Sequence, residues 1–475
     1  MNENKTTERM GSAKILPLII TMSIPAVFGN LANVMYNMVD RIFVGNYVGT
    51  DALGAIAVVL PLNNATNAIS FFINTGGAAL LAISFGQKKY DMADKVYSNI
   101  RIAAIFIALL IASIYSIFAR PLVSLCGAVP GTDMFNYAVA YQTITSFGQS
   151  FTFLNMNQAT VIRSEGNTKY ASFISIIGAL LNVALDTLFI LVFKFGLEGA
   201  ALATLISQIT SVFFGSLYFL RKKSMVKFRG IKSFDIKLII KIASMGIAPS
   251  IFQIMATVTN FLMNNSLRTY GDIELSSIGG GDLAISAFGI IMTVEQMMLS
   301  TAMGINQALQ PIQGYNYGKG DYKRVKETTL TGQVVVFVIC LAFWLIMMIK
   351  PEFYYYLFSS NDSNLITYGI HAMRTSKKLV VFLGYQTLVS FFFTSIGKPQ
   401  IATCVSISRQ IFLIPSLIIL PRLFGLEGVL NSNPVSDFCS LIVVTSIYIN
   451  GLHKLDKKAS LQSEIEKRQY TIKAC

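Results

Sequence analysis

From Thr328 to Ile349 the chain reads TTLTGQVVVFVICLAFWLIMMI, twenty-two residues without a charge. A helix rises about 1.5 Å per residue, so roughly 20 such residues cross the ~30 Å hydrocarbon layer of a bilayer. A spanning β-strand would alternate with a period of two over about ten residues. Val334–Ile349 is continuously apolar instead, and a helix satisfies its backbone groups within itself. Comparable uncharged stretches run Ala52–Gln87, Ile102–Ala119, Met134–Ile162, Gly199–Leu220 and Leu379–Gly397. Composition agrees: 53% of residues are hydrophobic and 13% charged, where about 25% charged is usual for a soluble chain. The predicted fold class is an all-α membrane protein.

The net charge of +14 raises nucleic acid as a partner, and its distribution argues against that. Basic residues cluster in alternate connectors: Lys88, Lys89 and Lys95; Arg163 and Lys169; Arg221, Lys222, Lys223, Lys227, Arg229 and Lys232; Lys319, Lys323, Arg324 and Lys326; Lys398; Lys454, Lys457 and Lys458. The connectors between them carry Arg120, Lys194, Arg268, Lys350 or Arg422 singly. This positive-inside bias predicts a multi-pass protein with both termini in the cytoplasm and an even number of spans, counted as twelve. The polar, basic start Met1–Lys14 predicts no cleavable leader. The cysteines (Cys126, Cys340, Cys404, Cys439, Cys475) show no metal or redox spacing, and Cys475 does not form a prenylation box.

The chain repeats itself. Phe195-Gly-Leu-Glu-Gly199 recurs as Phe424-Gly-Leu-Glu-Gly428, 229 positions later. Gly86-Gln-Lys-Lys-Tyr90 matches Gly318-Lys-Gly-Asp-Tyr322, and Gly166 matches Gly397, at nearly the same shift. All three pairs fall on equivalent membrane sides with six spans per half. The halves are therefore parallel repeats about a pseudo-twofold axis along the membrane normal, and solute sites in such proteins lie near the midplane. The expected organisation is a tail at 1–14, a lobe at 15–220, a basic linker at 221–237, a second lobe at 238–452 and a tail at 453–475.

Several spans carry a polar stripe. Asn30, Asn33, Asn37 and Asp40 share one helix face, as do Asn63, Asn67, Ser70 and Asn74, and Gln253, Thr257, Asn260 and Asn264. Such residues glue helices together or line a wetted cavity. Two of the stripes fall in corresponding spans of the halves, which favours a cavity lined by Asn33, Asn37, Asn67, Gln253, Asn260, Asn264 and Glu295. Asp40, Asp186, Glu295 and Asp437 lie within spans. An ionised acid at the bilayer centre costs roughly 2.5–3.5 kcal/mol, so each such acid either is satisfied by structural partners or carries a proton or holds a cation; Asp437, close to a span end, fits the structural reading best. Asn182 and Asp186 share a face; near Thr204 they would supply the oxygen ligands a hard cation prefers. Two histidines, His371 and His453, and singly spread acids argue against an enzyme, and no Gly-Lys-Ser/Thr phosphate loop exists.

These residues resemble the multidrug and toxic compound extrusion (MATE) family, in particular its bacterial multidrug-efflux branch. The resemblance covers roughly residues 15–450. It rests on Ile24-Pro25 with Asn37-Met-Val-Asp-Arg-Ile-Phe-Val-Gly45, the paired Gly86 and Gly318 loops, Arg163-Ser-Glu-Gly166, Leu181-Asn-Val-Ala-Leu-Asp-Thr-Leu-Phe189 and the doubled FGLEG. It implies two six-helix lobes forming a V in the bacterial plasma membrane. It also implies export of organic, often cationic compounds driven by protons or sodium ions. The family's N-terminal ion site maps onto Asp40, a fourth-span Asn (Asn155 or Asn157, with Asn157 carried forward), Asn182, Asp186 and Thr204. The chain departs from the family at Arg374, Lys377 and Lys378 in the tenth span. Facing the cavity they would repel cations; in the outer third of the span they would snorkel to the surface.

The expectation is a monomeric antiporter for amphipathic small molecules in the lipid bilayer, with no cofactor beyond a coupling H+ or Na+. The alternative is a flippase for a lipid-linked oligosaccharide or an exporter of another amphipathic metabolite. Asp40 and Asp186 have Asn264 and the uncharged stretch near Pro415–Leu417 as counterparts, so coupling is expected in the N-terminal lobe.

Overall fold

A computed structural model describes residues 3–221, 224–358 and 363–474. Lys222, Lys223 and Cys475, singled out above, lie outside the described residues. Among the described residues nine helices are long and apolar enough to span a bilayer alone, and a bent pair makes a tenth. Two further spans escape that test for physical reasons. Asp133–Ser164 has 32 residues but is polar along its buried side, with Gln142, Gln149, Asn157 and Gln158. Pro399–Ala474 is two helices joined across Gly425, whose backbone is not helical.

Twelve spans result. We number them α1 Ile15–Tyr47, α2 Thr50–Gly86, α3 Tyr90–Ile117, α4 Asp133–Ser164, α5 Thr168–Asp186 and α6 Gly196–Leu220 in the first lobe. The second lobe holds α7 Ile236–Glu274, α8 Gly280–Lys319, α9 Tyr322–Ile349, the bent α10 (Ser363–Ser376 and Leu383–Ser395), α11 (399–424) and α12 (426–474). The outer faces keep large apolar side chains exposed, such as Val334, Val338 and Ile349 of α9, where lipid tails are the solvent.

The internal repeat is visible in the backbone. Gly196 and Gly425, the second residues of the two FGLEG copies, both take left-handed conformations, with φ of +62° and +56°. Only glycine enters this region without a Cβ penalty, and there the chain turns into α6 and α12. Pro25 and Pro249 sit inside α1 and α7, separated by the same offset that relates Asn33 to Thr257.

The lobes meet through backbone contacts at glycines. At Gly86 of α2 an added Cβ would overlap the Tyr315 carbonyl of α8; at Gly318 of α8 it would overlap the Ile83 carbonyl of α2. Gly76 and Gly246 meet Ile242 and Phe72 in the same reciprocal way between α2 and α7. These crossings lie in the half of the molecule that carries the basic connectors, so the lobes are closed at that end. Gly86→Ala is expected to open this seam. Overpacking of about 1–3 kcal/mol corresponds to a five- to 150-fold shift in a two-state equilibrium. Spin labels at Lys89 and Lys319 should report a wider distance distribution in the variant than in the wild type.

The same end is strapped. The linker packs on α3: Arg229 pairs with Asp91 and Asp94, and Asn99 donates to the Ser233 carbonyl at 2.9 Å. Glu165, in the loop after α4, accepts from Ser224 Oγ at 2.6 Å, Met225 N at 2.9 Å and Tyr218 OH at 2.7 Å. Burial pushes its carboxyl up to about 7, against the pull of these donors. The short helix Glu3–Ser12 bridges the lobes. Thr7 donates to the Glu165 carbonyl at 3.0 Å, while the Met10 carbonyl accepts from Asn316 of α8 at 2.9 Å.

Candidate functional site

Asp186 ends the α-helical part of α5, and the chain passes directly into a π-helical turn, Thr187–Val192. Such turns recur at functional positions because they re-aim one side chain without breaking the helix. Asp186 is completely buried. Asn182, one turn earlier, faces α6. In one amide orientation its Nδ2 donates to Thr204 Oγ1 at 3.3 Å. In the other, Nδ2 donates to Asp186 Oδ2 at 3.2 Å while Oδ1 accepts from Thr204 Oγ1 at 3.3 Å. The second orientation satisfies both ends of the amide, which is the basis for assigning it.

Asp40 enters from α1 and is also buried. Asp40 and Asp186 are close enough to feel each other's charge, and Tyr36 of α1 and Tyr141 of α4 lie within reach of both. Arg41 is exposed. Among the described residues neither acid makes an ion pair within 4 Å. Asp40 Oδ1 and Asp186 Oδ1 are buried with no hydrogen-bond partner. Two buried carboxyls with unfilled lone pairs and no ion pair can hold a proton or a hard cation.

The structure thus gathers Asp40, Asn182, Asp186 and Thr204 at one point in the N-terminal lobe. Asn157 is turned elsewhere: its Nδ2 donates to Asn74 Oδ1 of α2 at 2.9 Å. Asn155 is the fourth-span Asn that faces α6, donating to Gln208 Oε1 at 3.5 Å with its own Oδ1 unpartnered. The polar stripes do not converge on one chamber. Asn63 accepts from Gln149 and Asn74 from Asn157 inside the lobe. Asn33, Asn67 and Gln253 are half-buried, while Asn37, Asn260 and Asn264 are exposed. Tyr36, Tyr141 and Gln142 were not singled out in the sequence. Tyr36 carried a signal, being four residues before Asp40 on the same face. Gln142 is fully buried with both amide atoms unpartnered.

A family model described as MatE matches residues 25–188 and 273–419, which include Asp40, Asn182, Asp186, Glu295 and Lys377. The chain belongs to the MatE family. It is similar to the multidrug export protein MepA of Staphylococcus saprophyticus, 26% identical over 439 residues, covering 90% of this chain and 92% of that protein. MepA of Staphylococcus haemolyticus is 24% identical over 95% of this chain and 98% of its own. Among solved structures, one described as MATE in the straight conformation superposes with a TM-score of 0.86 at 22% identity, covering 94% of this chain and 98% of that one. An outward-facing multidrug resistance MATE transporter gives 0.84 at 22% identity, with the same coverage. These likenesses confirm the twelve-helix, two-lobe fold.

The C-terminal lobe of this MatE transporter treats charge differently. Lys377 lies where α10 bends, and its ammonium pairs with Glu295 of α8, 1% and 6% exposed respectively. Both placements considered from the sequence are therefore corrected for Lys377: it neither lines an open cavity nor snorkels, because a buried carboxylate holds it. Lys378 next to it is exposed. Glu295 correspondingly serves an ion pair. Arg409 of α11, not singled out in the sequence, donates from Nε to Asp437 Oδ1 at 2.6 Å and from Nη2 to Asn433 Oδ1 at 3.1 Å. Glu295 and Arg409 also attract each other. The second lobe holds buried acids as well, and each is matched by a base.

Proposed function

We propose that this protein is a secondary active antiporter that exports amphipathic, cationic compounds across the bacterial plasma membrane in exchange for protons or sodium ions. The observation that carries the reading is the buried, unpaired Asp40–Asp186 pair with its unpartnered oxygens. Ion binding there neutralises charge and biases the equilibrium between two lobe arrangements. The basic connectors are read as the cytoplasmic side; on that reading the glycine seam closes the cytoplasmic end, the conformation faces outward and both termini lie inside. The protein acts as a monomer and is not an enzyme. The named relatives are export proteins, which supports the solute class. The flippase alternative drew on Lys377 and Lys378 as cavity cations, and the Glu295 pair removes the stronger of the two.

The test is a vesicle assay with a panel of dyes under imposed pH and sodium gradients. Replacing sodium with choline at fixed pH should abolish transport if sodium is the coupling ion and leave it intact if the proton is. Transport that responds to neither gradient would overturn the antiport reading.

A further inference from the structure

At the end of the C-terminal lobe that carries the basic connectors, three lysines come within reach of one another's charge. Lys398 follows the left-handed Gly397 (φ +71°) in the connector between α10 and α11. Lys454 and Lys458 lie one turn apart on α12. Packing brings the two segments together: Ile396, Leu455, Tyr317 and Tyr322 belong to one apolar cluster. The two tyrosine rings meet edge-on with 5.5 Å between centroids. Lys458 Nζ donates to Tyr317 OH at 3.0 Å and lies 5.1 Å and 5.4 Å from the two centroids. Its ammonium is therefore held in place on an aromatic platform.

This charge is not neutralised. Among the described residues none of the three lysines makes an ion pair within 4 Å. Asp456, on the same stretch of α12, is taken by Lys326 of α9 at 2.8 Å. Partial burial, and then repulsion from Lys458 and Lys454, lowers the Lys398 ammonium below the usual lysine range. The matching end of the N-terminal lobe differs, because there Arg229 is paired with Asp91 and Asp94. Membrane topology asks for basic connectors, but it does not ask for lysines gathered against their mutual repulsion. Like charges held together cost free energy, which an anion seated between them recovers.

Toward the bilayer the surface beside the lysines turns apolar. Cys404 and Ile411 of α11 are exposed, and so is Val443 of α12, on the same helix face as Lys454. We propose that Lys398, Lys454 and Lys458 bind the phosphate of an anionic phospholipid headgroup, whose acyl chains lie along α11 and α12. A free phosphate ion would use the lysines alone, whereas a phospholipid uses the lysines and the apolar wall together. Bound there, the headgroup ties the α10–α11 connector to α12. The inference stands apart from the antiport reading, since neither a coupling acid nor a solute contact takes part.

The test titrates the purified full-length protein with phosphatidylglycerol or phosphatidylcholine and reads bound lipid by native mass spectrometry. One lysine near an anionic headgroup is worth about fivefold in affinity. The wild type should therefore hold phosphatidylglycerol about tenfold or more tightly than phosphatidylcholine. Lys398→Gln, Lys454→Gln and Lys458→Gln together should remove that preference. Lys88→Gln, Lys89→Gln and Lys95→Gln take the same charge from the other lobe and should leave the preference within about twofold. Equal losses in the two triple variants mean a diffuse basic surface and overturn the inference. Inorganic phosphate that displaces the lipid at equal concentration overturns it too, in favour of a free anion. Photoactivatable phosphatidylglycerol gives a readout that needs no variant to fold: in the wild type it should label residues 396–404 or 450–458. Labelling confined to the N-terminal lobe rules the site out and leaves the antiport reading untouched.

Discussion

Asp186→Asn is expected to abolish transport while leaving the protein folded in the membrane. The carboxyl sits completely buried with Oδ1 unpartnered and without an ion pair, so it contributes little to stability. Its ionised form is a liability of roughly 2.5–3.5 kcal/mol at the bilayer centre. The amide is nearly isosteric and removes that liability, so melting temperature and membrane abundance should hold or rise. What it cannot do is take up a proton or offer a charged oxygen to a cation. The same free energy corresponds to about a hundredfold in ion affinity, at 1.4 kcal/mol per decade. Loss of function with gain of stability is the signature of a site kept for function against folding. Asn182→Ala should show a weaker version, since Asn182 positions Asp186 against Thr204. The measurements are drug resistance in a sensitised host and thermal unfolding of the purified variant. Resistance unchanged by Asp186→Asn would sink the coupling role.

The spans were readable because a bilayer imposes a length and forbids stray charge. Thr328–Ile349 needed no more than that, and it became α9. The duplication was readable for a different reason: FGLEG marks a backbone turn that both halves must make, with left-handed glycines at Gly196 and Gly425. The N-terminal site was partly readable. Asn182 and Asp186 share a helix face by spacing alone, whereas Tyr141 joins them from α4, which no periodicity reveals. The fourth-span ligand depended on side-chain direction: Asn155 and Asn157 differ by two residues, so they point to different neighbours, Gln208 and Asn74. The C-terminal lobe was least readable. Glu295 and Lys377 are 82 residues apart, as acid and base on separate helices, and local sequence carries no trace of their pairing. Asymmetry between the halves was expected as charged against uncharged. The structure shows unpaired against paired.

That distinction predicts the opposite phenotype for Lys377→Met. Lys377 and Glu295 are both buried, with the ammonium 5.2 Å from the Phe288 ring centroid. Removing the base strands a carboxylate in a low-dielectric interior, which typically costs about 3–5 kcal/mol. The variant should therefore unfold at a clearly lower temperature and accumulate poorly, before any question of substrate arises. Replacing both partners, as Glu295→Met with Lys377→Met, removes the stranded charge and should recover most of the loss, since an apolar pair of similar volume is often neutral or better. Arg409, which also attracts Glu295, can take up part of the orphaned charge. The single variant's penalty should then grow when Arg409→Met is added, and the cycle of variants measures this coupling directly. Ion dependence of transport gives the second readout. In the double variant it should match the wild type, because the pair holds the C-terminal lobe together and the unpaired acids proposed for coupling lie in the other lobe. A double variant that is as stable as the wild type but no longer follows the ion gradient would place Glu295 in the coupling machinery and overturn the division between the lobes.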